Sequence, residues 1–355
     1  YTIDDADVIN TSAGTTLNFA GSAGNLVTLR SDAVAQWDLN VNAAGSYSSN
    51  YVDVAYSNAA GGQQITTYDS IDSLNNANWV FVTSGSPQTI SGTCKKYDQL
   101  TSCADAETVK VAVNGVLEAN TGSTASGSWS ISNVTIGYGN IITVFIDGVA
   151  DSLEANAVTK FNGSGNITGI DLYEEHLTIG SNDNQTLTNA DLSVYDNSIS
   201  GDEDIFFEVD VNNDLTVDAL AQSSQEELYI LASNTFRPDS LSSGNVTTFH
   251  LELLGSMTMD NNILTVGGNY TQSAGTFNGN GSTINLAGNY ELSGGTFNSS
   301  SATLTLSGNF THTAGGSFSP GSGTVVFAGN DSSIDVSTSE TFYLLNLNKT
   351  SGQAL

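Results

Sequence analysis

An oxygen-rich run that begins at Asp210 is the part of this chain whose spacing comes closest to a metal site. Its first, third, fifth and ninth positions carry side-chain oxygens, as in a calcium-binding loop: Asp210, Asn212, Asp214 and Asp218. The sixth position, however, is Leu215, where such a loop needs glycine, and the twelfth is Ala221, where it needs a bidentate acid. The run therefore predicts either a calcium site or a solvated acidic turn.

A second acidic cluster lies just before this run. Asp202 and Asp204, together with Glu203 and Glu208, could bind a divalent cation such as calcium or supply the paired carboxylates of a glycosidase. Adjacent acids in a turn more often face water. Lyase chemistry on acidic sugars would also need clustered Lys or Arg, and the basic residues are scattered apart from one Lys-Lys pair. We therefore assign no catalytic residue, predict a non-enzymatic protein and keep calcium as its candidate cofactor.

Cys94 and Cys103 are the two cysteines of the chain, with eight residues between them. No other Cys and no His lies near them in the sequence, so a metal site would lack ligands. Two free thiols are the alternative, but the polar, β-rich surroundings are typical of secreted proteins, in which disulfides persist. We therefore predict a disulfide that closes a local loop, worth about 2–3 kcal/mol by the chain-entropy model.

The three histidines, His176, His250 and His312, are far apart in the sequence. No Gly-x-Ser-x-Gly motif accompanies them, so nothing indicates a serine hydrolase of that kind. His312 aligns with Gln272 and Leu292 in the repeats described below, and we expect this position to face outward. The sequence therefore predicts no convergent histidine site.

Composition narrows the class of partner. Of 355 residues only 12% are charged, and 37 acidic against 7 basic residues give a net charge of −30. Nucleic acid and anionic membrane surfaces, which both attract Lys and Arg, are therefore disfavoured. No apolar run is long enough for membrane insertion. Because no signal peptide is visible, we expect the chain to be a mature protein or a fragment.

The C-terminal part repeats in steps of about twenty residues, which predicts stacked β-coils. Gly-Asn pairs, phenylalanines and short apolar runs all recur with this step. We expect an amide ladder along the stack from the recurring asparagines, Asn269, Asn289 and Asn309. We expect an internal aromatic stack, rather than a ligand platform, from the recurring phenylalanines, Phe277, Phe297 and Phe318.

Three segments differ in strand pattern. Residues 1–85 predict short strands in less regular coils of about twenty residues or a little more. Residues 86–172 predict longer antiparallel strands joined by Asn-Gly and Asp-Gly turns, as in a small β-sandwich. Residues 173–355 return to short strands and then to the regular repeat.

Several stretches resemble very large bacterial surface proteins. The runs AGNLVTLRS (23–31), WDLNV (37–41) and DSLNNANW (72–79) are similar to a recurrent coil of such proteins, and residues 91–148 resemble their inserted immunoglobulin-like domains. The Gly-Asn-Tyr coils and residues 341–347 are similar to their parallel β-helical repeats. The resemblance implies an all-β fold, a parallel β-helix interrupted by an immunoglobulin-like β-sandwich at 86–172. The acidic runs at 202–204 and 226–227 depart from the usual uncharged coils and leave a local role open.

The resemblance implies a secreted protein at the cell surface. We expect a non-enzymatic structural subunit of an extracellular filament, sheath or surface layer, or a segment of a giant adhesin. Its partner would be itself, as a homopolymer, or further repeats of a longer chain, through residues 1–18 and 342–355 at the two ends of the stack. The alternative is a β-helix that binds or cleaves glycans, as an adhesin, lyase or tailspike does.

Overall fold

The computed structural model describes residues 2–5, 7–22, 25–82, 85–217, 226–239, 243–337 and 339–355. The described residues form coils of a parallel β-solenoid, about 15 turns in all, with almost no helix. The chain divides into two compact units, Tyr1–Ser86 with Thr135–Gly139, and Pro87–Val134 with Asn140–Leu355. The prediction of an all-β protein that contains a parallel β-helix is therefore confirmed.

Short parallel strands build the coils of the first unit. They are β1 (Thr2–Ile3), β2 (Val8–Asn10), β3 (Thr16–Ala20), β4 (Val27–Ser31), β5 (Trp37–Asn40), β6 (Ser46–Asn50), β7 (Val52–Ala55), β8 (Ser57–Asn58), β9 (Ile65–Tyr68), β10 (Ile71–Asp72) and β11 (Trp79–Val82). One sheet has the order β1-β4-β7-β10, a second β2-β5-β8 and a third β11-β9-β6-β3. Because consecutive strands enter consecutive sheets, each coil stacks directly on the coil before it.

Alternation of side chains along each strand gives the first unit its core. In β5, Trp37 and Leu39 are buried, whereas the polar residues between them are partly exposed. The core continues through Val52 and Val54 of the next coil. Burial of each such side chain contributes roughly 1.5–3 kcal/mol, so the stack rather than any single coil is the stable unit.

Longer, mostly antiparallel strands begin the second unit. They are β12 (Ser86–Lys95), β13 (Thr108–Val113), β14 (Val116–Leu117), β15 (Gly122–Ser123), β16 (Ser128–Ile136), β17 (Ile141–Asp147), β18 (Asn156–Lys160) and β19 (Leu172–Tyr173). Strands β14, β13, β17 and β18 are neighbours in one sheet, and β16, β12 and β19 form another. Strand β18 then pairs in parallel with the first solenoid strand that follows, so the first of these sheets is continuous with the solenoid.

The strand β17 is buried on both of its faces. Phe145 of β17 and Val158 of β18 belong to the same hydrophobic core as Leu177 of the first solenoid coil. The side of the antiparallel segment formed by β17 and β18 therefore shares a core with the coils that follow it.

Short strands return after Tyr173 and continue to Lys349; Phe207–Val209 pairs antiparallel with Leu215–Val217, and the others pair in parallel. They are β20 (His176–Ile179), β21 (Thr186–Leu187), β22 (Phe207–Val209), β23 (Leu215–Val217), β24 (Glu227–Ile230), β25 (Thr235–Phe236), β26 (Val246–Thr248), β27 (His250–Leu253), β28 (Ser256–Thr258), β29 (Ile263–Val266), β30 (Tyr270–Gln272), β31 (Thr276–Asn278), β32 (Thr283–Leu286), β33 (Tyr290–Leu292), β34 (Gly295–Asn298), β35 (Thr303–Leu306), β36 (Phe310–His312), β37 (Gly316–Ser319), β38 (Thr324–Gly329), β39 (Ile334–Val336) and β40 (Leu344–Lys349).

Helical turns interrupt this solenoid at one place. The helices α1 (Asn189–Leu192) and α2 (Asn197–Ser200) lie between β21 and β22, and 3₁₀ turns occur at Asp151–Leu153 and Ser193–Tyr195. A capping box at Thr188 starts α1, because its side chain and that of Asp191 each accept the other residue's backbone N–H. None of the helices among the described residues has the length and apolar character needed to cross a lipid bilayer.

Three sheets run along the second solenoid. We call them the first sheet (β18-β20-β24-β27-β30-β33-β36-β39), the second sheet (β21-β25-β28-β31-β34-β37) and the third sheet (β22-β23-β26-β29-β32-β35-β38-β40). Equivalent residues pair across neighbouring coils, as Phe277 does with Phe297 and Phe297 with Phe318. The step of about twenty in the sequence is therefore one full circuit of the three sheets.

Aromatic columns fill the interior of these coils. Phe297 stacks on Phe277 at a ring-centroid distance of 4.7 Å and on Phe318 at 5.7 Å, with nearly parallel planes. A second column of Tyr290 on Tyr270 lies against it, at 5.3 Å within the column and with edge-on contacts to Phe297. The predicted phenylalanine positions thus lie in one column, with Phe277 and Phe297 fully buried.

The Gly-Asn pairs occupy a tight corner between coils. A Cβ at position 288 would overlap the carbonyl oxygen of Gly268, so the close approach of the coils requires glycine there. The predicted asparagine column is present, and the backbone N–H of Asn289 donates to Oδ1 of Asn269 at 3.0 Å, as Asn309 does to Asn289. These bonds run from backbone to side chain, not between side-chain amides as in the ladder we expected.

The expectation that His312 faces outward is wrong. Its column faces the interior, where Gln272 and Leu292 are both fully buried. The Gln272 amide is accommodated because the Tyr270 hydroxyl donates to its Oε1 at 2.8 Å, while its Nε2 donates to nearby carbonyl oxygens. His312 lies at the edge of this interior, and its Nδ1 lies 2.5 Å from Glu340 Oε2.

Candidate functional site

The predicted disulfide is present and closes a loop over the first sheet. Cys94 and Cys103 are bonded, with their Cα atoms 5.4 Å apart. Residues 95–102, which we call the strap, fold back on themselves, as shown by the 2.7 Å hydrogen bond from the Lys96 N–H to the Thr101 carbonyl. The Asp98 carboxylate accepts the Thr101 N–H and hydroxyl and holds the turn. The disulfide therefore closes a short loop that lies on the first sheet.

The strap covers outward-facing residues of three adjacent strands. In β20, β24 and β27 the leucines Leu177, Leu228 and Leu251 point into the core. The residues directly before and after each leucine in its strand therefore face outward. His176 nevertheless has no exposed surface and Glu227 has only 9%. The outer face of a solenoid sheet normally meets solvent, and here the strap and the neighbouring Tyr173 cover it.

Aromatic rings enclose His176. The Tyr97 ring of the strap lies 5.0 Å from the imidazole, that of Tyr173 5.7 Å and that of Tyr229 5.8 Å. Tyr173 and Tyr229 also meet edge to face at 5.1 Å. We call the whole group the strap cluster, and its members are Tyr97, Gln99, Tyr173, His176, Glu227, Tyr229 and Glu252.

A chain of polar contacts links the strap cluster. Gln99 Nε2 donates to Glu252 Oε2 at 2.5 Å and lies 3.5 Å from His176 Nε2. The same imidazole nitrogen is 3.5 Å from Glu227 Oε2, which also accepts from the Tyr97 hydroxyl at 3.4 Å. His176 Nδ1 donates to the Glu174 carbonyl at 2.6 Å, which leaves Nε2 as the acceptor in the neutral ring.

Burial sets the electrostatics of the strap cluster. It lowers the pKa of His176 to about 4, and it raises the pKa of Glu227 to about 8 with a further contribution from the charge of Glu252. Burial also raises the pKa of Glu252. Near neutral pH burial therefore favours the uncharged imidazole of His176 and the protonated carboxyl of Glu227.

Sequence reasoning did not find the strap cluster. The acidic run at 226–227 departs from the usual coil composition, and Glu227 does belong to the cluster. The histidines were set aside as distant, yet His176 and His250 are aligned with Glu227 in neighbouring strands. The missing information was the position of the strap, whose Gln99 meets Glu252 across 153 residues of sequence.

The predicted acids Asp202 and Asp204 lie together with Asp147, a residue that sequence reasoning had assigned only to a turn. Their carboxylate oxygens are within 4.8 Å of one another. Lys110 forms an ion pair with Asp147 at 2.6 Å, and the Gly148 N–H donates to Asp204 at 2.9 Å. Burial raises the pKa of Asp204 despite that donor. The group could hold a divalent cation, with Lys110 as its competitor.

In the predicted calcium loop the carboxylates of Asp210 and Asp214 accept hydrogen bonds from the protein. The Asp210 carboxylate accepts the backbone N–H of Asn212 at 2.8 Å and of Asp214 at 3.0 Å, and the Asn212 side chain also donates to it. The Asp214 carboxylate accepts from the backbone and side-chain amides of Asn245, both at 2.9 Å. Asp218 lies outside the described residues. Donors of its own turn thus occupy the oxygens of Asp210, and donors of the neighbouring coil occupy those of Asp214.

The strand β40 leaves interior side chains uncovered. It pairs with β38, so that Leu345 continues the inward column of Val325, and Leu347 continues that of Phe327. The side chains of Val325 and Phe327 are buried, but Leu345 is 49% exposed and Leu347 is 55% exposed. Two positions that are buried in every preceding coil of this sheet are therefore apolar and accessible here.

The first coil of the first unit leaves an apolar opening. A cavity of about 530 Å³ is lined mainly by hydrophobic side chains of the first two coils, among them Ile3, Ile9, Phe19, Leu29 and Trp37. These residues are also part of, or pack near, the core of that unit. The interior of the first unit is thus accessible at β1, β2 and β3, which lie at the edges of their sheets.

Comparisons of this chain with protein-family models, with curated proteins and with solved structures give no match.

Proposed function

We propose that this protein is a non-enzymatic structural subunit of an extracellular filament, sheath or surface layer that assembles end to end. The proposal rests on the uncovered interior at β40, where Leu345 and Leu347 stand in columns that are buried in the preceding coils. Apolar side chains at such positions are stabilised when another coil stacks on them.

The partner at this end would be a second copy of the chain or further repeats of a longer chain. Leu345 and Leu347 lie on β40, the last strand of the third sheet. The backbone groups on its free edge can pair with another parallel strand. The apolar cavity beside β1 to β3 offers the complementary feature, an interior open to side chains from outside. Contacts of this head-to-tail kind extend without closing, as a filament requires.

The location outside the cell is part of the same proposal. The bonded Cys94 and Cys103 support it, because disulfides persist in oxidising compartments. We also propose that residues 86–172 form an immunoglobulin-like sandwich, supported by their two sheets and antiparallel pairing. In the assembly this segment would contact neighbours or decorate the surface.

Replacing the two uncovered leucines should prevent assembly. In Leu345→Asp/Leu347→Asp, charges would have to be buried at each junction, so we expect polymers to disappear and the critical concentration for assembly to rise at least tenfold. Electron microscopy and sedimentation velocity of the native material, with and without a calcium chelator, provide the measurement. Leu74→Asp is the matched control, because Leu74 is exposed and lies elsewhere.

The results of this experiment distinguish a second copy of the chain from further repeats of a longer chain as the partner. Filaments or sheets that the control keeps and the double variant loses would support the proposal, and their loss on chelation would assign the acidic groups to metal-bridged contacts. Monomers at every concentration, with and without calcium, would contradict assembly from copies of this chain and would point to further repeats of a longer chain as the covering partner.

A glycan-cleaving β-solenoid is the second candidate, and one groove favours it. Glu208, Asp210 and Asp214 line a groove of about 450 Å³ on the third sheet, together with Thr216 and Asn245. Convergent acids on one face are what cleavage of a glycosidic bond requires. A screen for polysaccharide depolymerisation decides the matter: turnover that Glu208→Gln abolishes would favour this candidate over the structural one.

A further inference from the structure

The strap cluster contains a buried carboxylic acid, Glu227, and a half-buried one, Glu252, and neither has a basic partner among the described residues. In the described part of the chain, neither Glu227 nor Glu252 forms an ion pair with Lys or Arg, and the contact of Glu227 with His176 is to an imidazole that burial keeps neutral. A buried carboxylate without a cation is costly, so such a group keeps its proton or moves into water.

The strap contacts both acids from the outer side of the first sheet. Strands β24 and β27 present Glu227 and Glu252 on the outer face of the first sheet, and in that position an uncovered side chain would be hydrated. The covering groups are Tyr97 and Gln99. The Tyr97 ring lies 5.0 Å from the His176 ring and its hydroxyl donates to Glu227, while Gln99 donates to Glu252. The strap is tethered at Cys94 and Cys103, so it can lift as one loop without unfolding the coils below it.

We propose that the strap is a proton-controlled cover: it lies on the first sheet while Glu227 is protonated, and it lifts when Glu227 ionises beside Glu252. Lifting exposes the strand members of the strap cluster, which are the His176 imidazole, the Glu227 and Glu252 carboxylates and the Tyr229 ring. The device is separate from end-to-end assembly, since the strap cluster includes no residue of β1 to β3 or β40.

The other charged groups around the cluster do not cancel this effect. The charged groups outside the cluster that act on its members are Asp171, Glu175 and His250. Two of the three are acids, which oppose a further negative charge. The effect of Lys96 is on Glu174 rather than on Glu227 or Glu252.

The direction of the pH dependence follows from the two strongest shifts. Glu227 has a pKa of about 8 under the strap and an ordinary value of 4.5, so a rise in pH between these values favours lifting. His176 has a pKa of about 4 under the strap and an ordinary value of 6.5, so a fall in pH between those values favours lifting. The two effects nearly cancel between pH 4.5 and 6.5, and above that Glu227 alone acts, with Glu252 in the same sense.

Covalent labelling of His176 measures the lifting directly. Diethyl pyrocarbonate reacts with an accessible neutral imidazole, and mass spectrometry of the full chain reports the rate at each residue. After division by the rate of a free histidine peptide at the same pH, we expect labelling of His176 to rise roughly tenfold or more between pH 6 and 8.

Two variants test the cause. Glu227→Gln/Glu252→Gln cannot ionise and should abolish the rise between pH 6 and 8. Glu291→Gln, an exposed position on the same face two coils further along, should keep the wild-type profile. A wild-type rate that does not change with pH would overturn the proposal, as would a full rise that persists in the double variant. The wild-type series stands by itself if the double variant fails to fold.

Discussion

Replacing Phe297 by Ala is expected to lower the free energy of unfolding by about 3–5 kcal/mol. The ring is fully buried and stacks on Phe277 and Phe318, and it also meets Tyr270 and Tyr290 edge to face. Its removal leaves a cavity that neighbouring coils cannot fill, because their positions are fixed by parallel pairing on both sides. The loss should therefore lie at the upper end of the range for core phenylalanines.

Chemical denaturation followed by circular dichroism measures this loss. Thr296→Ala is the matched control, because Thr296 precedes Phe297 in the same strand and faces outward, where a substitution usually changes stability by at most about 0.5 kcal/mol. A loss below about 1 kcal/mol for Phe297→Ala would show that the aromatic column is not part of a packed core. Because repeat arrays can unfold in stages, the C-terminal coils should be the first to be lost.

Removing the disulfide should cost about 2–3 kcal/mol. The cross-link joins residues nine apart, and the chain-entropy model gives this loss for a ring of that size. Both sulfurs are buried, since Cys94 has no exposed surface and Cys103 has 5%, so the bond should resist mild reductants. The strap would keep its Asp98 turn but lose its tether to β12.

Cys94→Ser/Cys103→Ser and reduction of the wild type should give the same shift in denaturation midpoint. Reductant added to the double variant is the control and should change nothing. The prediction fails if the reduced protein is as stable as the oxidised one. A midpoint shift together with faster labelling of His176 at pH 6 would further show that the tether holds the strap on the first sheet.

The repeat made much of the solenoid predictable. Each circuit of the three sheets brings the same types of residue to the same neighbours, so Phe297 and Asn289 recur with the period of the fold itself. The disulfide was also predictable, because Cys94 and Cys103 are close in sequence and have no competing partner. Local patterns of this kind carry their structural meaning in the sequence.

Burial that depends on distant segments could not be predicted. His176, Glu227 and Glu252 occupy outward strand positions, which alternation alone assigns to solvent, and the strap that covers them comes from a different part of the chain. Gln272 led to the opposite error. A glutamine predicts a surface position, yet the Tyr270 hydroxyl donates to its amide oxygen inside the core. In both cases the outcome depended on a side-chain partner that periodicity does not specify.

The regular pairing of coils also bears on how this protein would respond to a pulling force. In the last coils each strand is bonded mainly to the equivalent strands before and after it, so tension applied at the C-terminus would act on one circuit at a time. Each circuit of about twenty residues would release a contour length of about 70 Å when it peels away. The chain would then unfold one circuit at a time, in steps of equal length, and dissipate mechanical work at each step.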